Sequence, residues 1–428
     1  MGNISVSIVI FGVTGDLARN KLIPSLFDLY CKGELKGNFT IVGYGRKQFS
    51  AEEFSSLVSD ALMSKISPSN VKLKTNALRQ RQRFISLCAY VQGELAETRG
   101  YDQLRKMVKG RRVIYFLAIH PELHEVVIAQ LGKASLFNRR SQVLIEKPFG
   151  HDIKSARSLD TKMRRFIKED QIYRIDHYLG KSALLQLLRR RREDKDFERA
   201  LEKDIKEVSV SLWETKIINK RGAFYDRVGA LKDVGQNHLL QMLAVVIAPK
   251  EVTSREAERV QQARATVLDS LRLTLPTTHA QYRSYHDEPG VAPHSQTETF
   301  FSVTAFSSIP KHKKVLLRLS AGKGLSESKA EIQIFFKKPV LLKEGLKTGM
   351  VFSLNGSDKE RSKKKIEAYE HIFLSALKRD QSVFCSLEES VAGWKFESNV
   401  RKFWKNHDIR LGYYNIGDPI HISKDKRT

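Results

Sequence analysis

The first part of the chain alternates short apolar runs with longer segments of helical spacing. The apolar runs are SVSIVIFG (residues 5–12), FTIVGYG (39–45), VIYFLAI (113–119) and QVLIEKPF (142–149). Their β-branched, continuous apolar character predicts buried parallel strands. Between the first two, DLARNKLIPSLFDLY (16–30) repeats apolar residues every three to five positions, which predicts a helix. Strands that alternate with helices indicate a parallel, doubly wound α/β sheet.

Beyond the middle of the chain, alternating apolar and polar residues replace the continuous runs. The alternating segments are KEVSVSLWET (206–215), FFSVTAFSS (300–308), KKVLLRLSAG (313–322) and AEIQIFFKK (330–338). They predict a large, mostly antiparallel sheet with one face in water. Residues 250–300 predict loops and helix, and residues 364–380 predict an amphipathic helix. We therefore expect an α/β domain over residues 1–175 and an α+β domain over residues 176–428.

Composition agrees with two folded domains in a reducing compartment. The chain has 428 residues, 41% of them hydrophobic, which is enough for two cores. Its longest apolar stretch, Leu239 to Ala248, contains Gln241 and is about half a membrane span in length. Cys31, Cys88 and Cys385 are too widely spaced for a metal knuckle or a disulfide framework. We expect a cytoplasmic protein without a membrane span or a metal site.

The chain is strongly basic, with a formal net charge of +26. A surface of this kind attracts anions, which include nucleic acids, anionic lipids and small phosphorylated metabolites. The densest basic runs are Arg189 to Arg192 and Lys363 to Lys365, and an acidic residue follows each within two positions. A solvated helix face is the more ordinary explanation of such runs. Charge alone does not choose among the anions.

A glycine turn follows the first predicted strand. Gly12 ends the strand, Gly15 comes three residues later, and Ala18 follows where a helix opens. Glycine permits a tight turn and the close approach of backbone amides to a pyrophosphate, so a Rossmann-like dinucleotide site is one interpretation and an ordinary turn is the other. The second strand ends in Arg46 and Lys47 instead of the acid that is usual for NAD, and cations there suit the 2′-phosphate of NADP.

Three further segments carry candidate chemistry. Lys147, in EKPFG, follows a predicted parallel strand, whose carboxyl edge faces the ligand crevice of such sheets. The stretch RIDHYLGK (174–181) places a carboxylate, an imidazole, a phenol and an ammonium within six residues, from Asp176 to Lys181. In LKDVGQNHLLQML, Asp233 and His238 precede an apolar helical pattern. A core histidine is the ordinary explanation of His238.

Five blocks of the sequence, in this order and at these spacings, resemble the glucose-6-phosphate dehydrogenase family. They are FGVTGDLARNKLIPSLF (11–27), IVGYGR (41–46), IEKPFG (145–150), EDQIYRIDHYLGK (169–181) and LKDVGQNHLLQML (231–243). The resemblance extends from the first strand to about residue 245, with weaker similarity at LSAGKGLSESKAEI and EAYEHIFLSAL. It implies oxidation of the C1 hydroxyl of glucose 6-phosphate to 6-phosphogluconolactone with NADP, the first step of the oxidative pentose phosphate pathway.

The resemblance also implies a role for individual residues. His238 would be the general base, for which imidazole has a suitable pKa, and Asp176 would orient it. His177, Tyr178 and Lys181 would bind the substrate phosphate. The sugar hydroxyls would meet Glu214, Asp233 and Lys323, and Lys147 would lie between the sugar and the nicotinamide. The implied cofactor-binding residues are Gly12, Thr14, Gly15, Asp16, Leu17, Arg46 and Lys147.

The sequence departs from the family at several points. Five residues after Lys323 the family usually carries a second cation, but this chain has Ser328 there, followed by Lys329. The basic segment LRRRREDKDFERALEKD replaces the usual sequence after the LGK helix. Family members pair through the C-terminal sheet, which is shortened here, so a homodimer or homotetramer is an expectation from resemblance alone.

Two alternatives to this function stay open. A related sugar dehydrogenase with an altered substrate would explain Ser328. A non-catalytic homologue that binds anions or nucleic acid would explain the net charge, but the arginine run has no interleaved aromatic residues, so nucleic acid is not the expected partner.

Overall fold

The structure is a computed structural model that describes residues 5–35, 37–63, 71–354 and 367–419. The strands, numbered in chain order, are β1 (Val6–Phe11), β2 (Phe39–Gly45), β3 (Cys88–Gln92), β4 (Arg112–Leu117), β5 (Gln142–Glu146), β6 (Ile172–Ile175), β7 (Ile205–Trp213), β8 (Leu271–Tyr282), β9 (Phe300–Ser307), β10 (Leu316–Gly322), β11 (Lys329–Leu342), β12 (Gly345–Ser353) and β13 (Gly412–Tyr414). The basic run at Lys363 to Lys365 lies outside the described residues.

The helices, also in chain order, are α1 (Ile23–Cys31), α2 (Ala51–Ala61), α3 (Val71–Ile85), α4 (Thr98–Val108), α5 (His124–Lys133), α6 (Ile153–Met163), α7 (Ser182–Glu193), α8 (Lys195–Lys203), α9 (Gly222–Tyr225), α10 (Leu240–Ile247), α11 (Ala257–Asp269), α12 (Ala368–Lys378) and α13 (Leu387–Asn406). Two segments, Ala18–Leu22 and Leu231–Leu239, are π-helical. Within the described parts of the chain, no helix combines the length and the apolar character that crossing a membrane requires.

The chain forms two compact units. The first contains Met1–Gly180 together with Ile366–Cys385, and the second contains Lys181–Lys365 together with Ser386–Thr428. The sequence-based assignment of cofactor binding to residues 1–175 and of substrate binding and dimerisation to residues 176–428 stays a prediction, because contacts group residues without testing what they bind.

Within the described residues, the first unit holds a six-stranded sheet in the order β3-β2-β1-β4-β5-β6. Each neighbouring pair is parallel, and the strands β1 and β4 are buried along their whole length. From β1 the strand order runs outward to β3 on one side, and from β4 it runs outward to β6 on the other side, so the order switches between the neighbouring strands β1 and β4. Ligands of open α/β sheets bind outside the carboxyl ends of the strands at such a switch point. The predicted parallel, doubly wound domain is confirmed.

The second unit holds a seven-stranded sheet, counted over the residues that the structure describes, in the order β12-β11-β7-β10-β9-β8-β13. Most neighbouring pairs are antiparallel, whereas β7 pairs in parallel with β10, and β13 with β8. The predicted α+β unit with a mostly antiparallel sheet is confirmed. The parallel pair matters for the site, because both of its strands end at the same edge.

One local prediction was wrong. Residues 250–300 were expected to form loops and helix, but they include β8, a strand of 12 residues. Its sequence, LRLTLPTTHAQY, contains a proline that cannot donate to the ladder, and the pairing with β9 shifts register between Thr274 and Thr278, around that proline. A strand interrupted in this way loses the regular alternation that identifies a strand from sequence.

Candidate active site

The glycine turn after β1 fits a dinucleotide backbone. Gly12 has a φ of +78°, and a Cβ built on it would lie 2.4 Å from the carbonyl oxygen of Ala118, beyond the end of β4. Only glycine therefore fits there without displacing the backbone. The Gly15 amide closes the turn on the Gly12 carbonyl at 3.0 Å. Thr14, Gly15 and Asp16 are exposed, while Leu17 is partly buried where the helical segment begins.

A pocket of about 430 Å³ lies beside this turn. It is lined by Thr14, Arg19, Lys47, Phe49, Glu53, Ser56, Leu57 and Asp60. Lys47, rather than Arg46, is the cation after β2 that lines it, and its Nζ lies 4.8 Å above the Phe49 ring. Arg46 is exposed at the end of β2. Sequence reasoning missed Arg19, which stands four residues after Gly15 in the first helical turn.

The carboxyl end of β5 carries Glu146 and then Lys147. The Tyr369 hydroxyl donates a hydrogen bond of 2.9 Å to Oε1 of Glu146. Burial raises the pKa of Glu146 to about 7, an effect that the Tyr369 hydrogen bond and Lys147 oppose. Lys147 is partly exposed at this strand end. Glu146 appeared in the EKPFG motif without a predicted role.

The end of β6 leads into a tight turn over Asp176 to Gly180. Asp176 is 2% exposed, and its Oδ1 accepts a hydrogen bond of 3.0 Å from the Tyr178 backbone amide. The amides of Leu179 and Gly180 donate back to the carbonyls of Asp176 and His177. His177 and Tyr178 are consequently presented side by side and partly exposed, with ring centroids 4.9 Å apart. One turn thus holds a buried carboxylate beside two candidate phosphate ligands.

Within the second unit, His238 lies in the π-helical segment Leu231–Leu239, a form of helix that often occurs at functional sites. His238 is 2% exposed, and its backbone amide donates to Oδ1 of Asn237 at 2.6 Å. The Asn237 side-chain amide donates to the Asp233 carbonyl at 3.0 Å, which links Asn237 to the residue four positions earlier in the same helical segment. Asp233 itself is partly exposed.

Glu214 and Lys323 follow the two strands of the parallel pair. Glu214 succeeds β7 and Lys323 succeeds β10, and Lys323 donates to the Glu214 carboxylate. The π-helical segment with Asp233 and His238 packs against the same two strands. Lys181 precedes α7 and is partly buried. Glu214 and Lys323 therefore lie together at the carboxyl ends of β7 and β10, and Asp233 lies on a segment that packs against these two strands.

Ser328 and Lys329 both have partners within the second unit. The Ser328 hydroxyl accepts a hydrogen bond of 3.0 Å from the Thr215 amide. Lys329 Nζ lies 3.7 Å from the centre of the Trp213 ring and 3.1 Å from the Glu327 carboxylate. Lys329 is thus engaged elsewhere and does not simply replace the cation that the family carries one position earlier.

The arginine run on α7 is used within the fold. Arg189 pairs with Glu193 at 2.9 Å, and Arg190 with Glu344 at 2.7 Å. Arg191 is buried and donates to Glu198. These ion pairs favour a structural use of the run over an exposed anion-binding groove.

The predicted site residues are divided between the two units. The first unit carries the cofactor-binding set with Lys147, Asp176, His177 and Tyr178, and the second carries Lys181, Glu214, Asp233, His238 and Lys323. The pairing of Asp176 with His238 would join residues of the two units and stays a prediction. Each half has a geometry that suits its predicted role.

Comparison with known proteins agrees with these features. The family model described as "Glucose-6-phosphate dehydrogenase, NAD binding domain" matches residues 9–186, and "Glucose-6-phosphate dehydrogenase, C-terminal domain" matches residues 194–345. The glucose-6-phosphate 1-dehydrogenase of Borreliella burgdorferi is 30% identical over 97% of this chain and 95% of its own length. That of Helicobacter pylori strain J99 is 32% identical over 77% of this chain and 75% of its own length.

Solved structures give the same result. A glucose-6-phosphate dehydrogenase in complex with its substrate glucose 6-phosphate superimposes with a TM-score of 0.85 at 27% identity, covering 98% of this chain and 96% of that one. The enzyme of Mycobacterium avium gives a TM-score of 0.80 at 27% identity, with 97% and 95% covered. This chain belongs to the glucose-6-phosphate dehydrogenase family.

Proposed function

We propose that this protein is an NADP-dependent glucose-6-phosphate dehydrogenase, an oxidoreductase that acts on the C1 hydroxyl of glucose 6-phosphate. The observation that carries the proposal is the turn from Asp176 to Gly180. It buries a carboxylate and presents His177 and Tyr178 beside it. The family's blocks on both sides of this turn are retained, and relatives with this activity align over nearly the whole chain.

The residues of the first unit fit NADP. The Gly12 turn leaves no room for a Cβ against Ala118, as expected where a backbone must approach a pyrophosphate. Arg19 and Lys47 line the adjacent pocket, and Arg46 stands exposed beside it, so cations are available for a 2′-phosphate. When bound, NADP supplies the hydride acceptor of the reaction.

His238 removes the proton of the C1 hydroxyl as the C1–H bond breaks. We expect Asp176 to pair with the opposite ring nitrogen, where it would select the tautomer and stabilise the imidazolium that forms. Each side chain is buried within its own unit, and such a pairing would be strong because the effective dielectric constant is lower away from water. Neither residue forms a covalent bond to the substrate in this step. The dyad is therefore regenerated when His238 passes its proton to solvent.

The remaining residues hold the substrate. His177, Tyr178 and Lys181 bind the phosphate through hydrogen bonds and positive charge. Glu214, Asp233 and Lys323 read the sugar hydroxyls, and the Glu214–Lys323 contact keeps both side chains at one sheet edge before substrate arrives. An analogue that lacks one hydroxyl leaves a polar partner unsatisfied and is disfavoured. Lys147, at the carboxyl end of β5, would lie between the sugar and the nicotinamide when both are bound.

A related sugar dehydrogenase with relaxed phosphate selection is the second candidate, favoured by Ser328. Its hydroxyl is bonded to Thr215, and it brings no positive charge to the phosphate. Comparing kcat/KM for glucose 6-phosphate and for free glucose separates the two candidates. A strong preference for glucose 6-phosphate supports the first, and equal values support the second.

Assembly and location are also proposals. We expect a homodimer or homotetramer that forms through the second unit's sheet, and light scattering of the purified protein measures the mass. Widely spaced cysteines and phosphorylated small-molecule ligands suit the cytoplasm.

The activity is tested by following the nicotinamide absorbance of purified protein with NADP and glucose 6-phosphate. We expect wild-type turnover, a loss of about 10²–10⁴-fold in kcat for His238→Asn, and a clear loss for Asp176→Asn. The exposed His294→Asn is the matched control and keeps wild-type turnover. A folded wild type with no turnover refutes the proposal, and full activity of His238→Asn refutes the assigned base.

A further inference from the structure

Residues 367–385 return from the second half of the chain to the first unit, where α12 is firmly anchored. Arg112 donates to the carbonyl of Ala376 at 2.7 Å. After the helix, the Cys385 amide donates to the Arg174 carbonyl at 2.9 Å, beside the end of β6. These bonds hold the second half of α12 and the residues after it against the amino end of β4 and the end of β6. The first turn of α12 is held separately, by the hydrogen bond from Tyr369 to Glu146.

Tyr369, in the first turn of α12, contacts both Glu146 at the end of β5 and His177 in the turn after β6. Its hydroxyl donates to Glu146 at 2.9 Å, next to Lys147. Its ring is nearly parallel to the His177 imidazole, with an interplanar angle of 11° and centroids 5.9 Å apart. Tyr369 is 8% exposed and has Phe116 on another side, with ring centroids 6.5 Å apart. The ring is thus enclosed and held by its hydroxyl.

The turn that carries His177 lies directly against the same segment. A Cβ on Gly180 would be 2.7 Å from the Ala368 carbonyl oxygen, so the backbone of the turn and the start of α12 are in close contact. A movement of the Tyr369 ring would therefore change the packing of the His177 imidazole beside it. The hydroxyl bond to Glu146 limits that movement.

We propose that Tyr369 is a positioning residue for substrate phosphate, which fixes the plane of the His177 imidazole by ring contact while Glu146 anchors its own hydroxyl. This inference rests on the proposed function and on the role assigned to His177 there. A hydrogen bond to phosphate depends steeply on the direction of the ring N–H, so a rotating imidazole binds phosphate less well. Free glucose has no phosphate, and its oxidation does not need this orientation.

The test compares Tyr369→Leu and Tyr369→Phe with wild type, using glucose 6-phosphate and free glucose as substrates. For Tyr369→Leu we expect kcat/KM for glucose 6-phosphate to fall by about 10- to 100-fold, with the value for glucose and the KM for NADP unchanged. Tyr369→Phe keeps the ring and should show a smaller loss of the same kind. Tyr115→Phe, which removes a buried hydroxyl bonded to the Leu136 carbonyl, is the matched control.

A merely structural role would lower both substrates together, and that result overturns the inference. A double-mutant cycle gives a second criterion, because in a His177→Asn background Tyr369→Leu should cause no further loss for glucose 6-phosphate. Additive losses also overturn it. If Tyr369→Leu fails to fold, Tyr369→Phe is used in the same cycle with the same criteria.

Calorimetric titration with glucose 6-phosphate separates this inference from the proposed function. Wild-type protein that neither binds nor oxidises glucose 6-phosphate refutes both. Active wild type with Tyr369 variants that behave like Tyr115→Phe refutes only the role of Tyr369. Weaker binding of glucose 6-phosphate by the Tyr369 variants, with NADP binding intact, supports it.

Discussion

Protonated Glu146 should stabilise the first unit, and this stabilisation should decline as the pH rises towards neutrality. Its pKa is raised from 4.5 to about 7, mainly by burial. Between these values the folded state keeps a proton that the unfolded state has lost, so the free energy of unfolding falls with increasing pH. The loss begins near the unfolded pKa and is complete above the folded one.

The size of this effect follows from the shift. A shift from 4.5 to about 7 is about 2.5 pH units, and at about 1.4 kcal/mol per unit it corresponds to about 3 kcal/mol. That figure is an upper bound, because Glu146 is partly exposed and water screens part of the charge. Glu146→Gln removes the titration, and its amide oxygen still accepts the hydrogen bond from Tyr369.

The assay is urea denaturation of wild type and Glu146→Gln at about pH 5 and about pH 8, on either side of the folded pKa. All three tryptophans, Trp213, Trp394 and Trp404, belong to the second unit, so their fluorescence reports that unit alone. Circular dichroism reports both units, and the first unit is read from the change that fluorescence does not follow. The variant should gain up to about 3 kcal/mol relative to wild type between the two pH values. An equal difference at both would refute the reasoning. Glu34→Gln, at an exposed site of the same unit, should show no such change.

Three further predictions concern the second unit. Arg264 and Glu389 form an ion pair with both side chains fully buried and Nε 2.7 Å from Oε1. Arg264→Met should therefore lower the free energy of unfolding by about 3–5 kcal/mol, measured by tryptophan fluorescence in urea. The double variant Arg264→Met with Glu389→Met should recover stability, and an unchanged free energy of unfolding in the single variant would contradict this prediction. Burial lowers the pKa of His279 to about 4, so stability is lost as the pH falls from about 6.5 to about 4. His279→Phe keeps a ring beside Trp404 and should reduce that loss in thermal melts, whereas the same pH profile in variant and wild type would count against this prediction. Ser328→Lys should lower the KM for glucose 6-phosphate about fivefold by adding a cation. Ser326→Lys, at another exposed position, should leave the KM unchanged, and equal effects at both positions would show general charge attraction and contradict a specific role of position 328.

Much of the first unit could be predicted because its strands are buried on both faces. Continuous β-branched runs identified β2 from Phe39 to Gly45 as the structure has it. The same reasoning placed β1, β4 and β5 within a few residues. The strand β8 was missed, since Pro276 and the register shift near it break the alternation that the method needs.

The active-site residues could be named from sequence only where they form contiguous motifs. Asp176 and His177 lie in one turn, and local spacing indicated a cluster there. Tyr369 could not be found in this way, because almost two hundred residues separate it from His177 and only the tertiary contacts of α12 bring the two rings together. Arg19 was missed for a different reason, since an exposed arginine in a basic chain carries no distinctive pattern.

The most direct test of the proposed reaction uses glucose 6-phosphate that carries deuterium at C1. Purified protein is incubated with this substrate and NADP, and the reduced cofactor is isolated and examined by mass spectrometry. We predict that the reduced cofactor carries the deuterium and forms in equal amount with 6-phosphogluconolactone. Reduced cofactor without deuterium, or none at all from protein that binds both ligands, would contradict the assignment of this chain as a glucose-6-phosphate dehydrogenase.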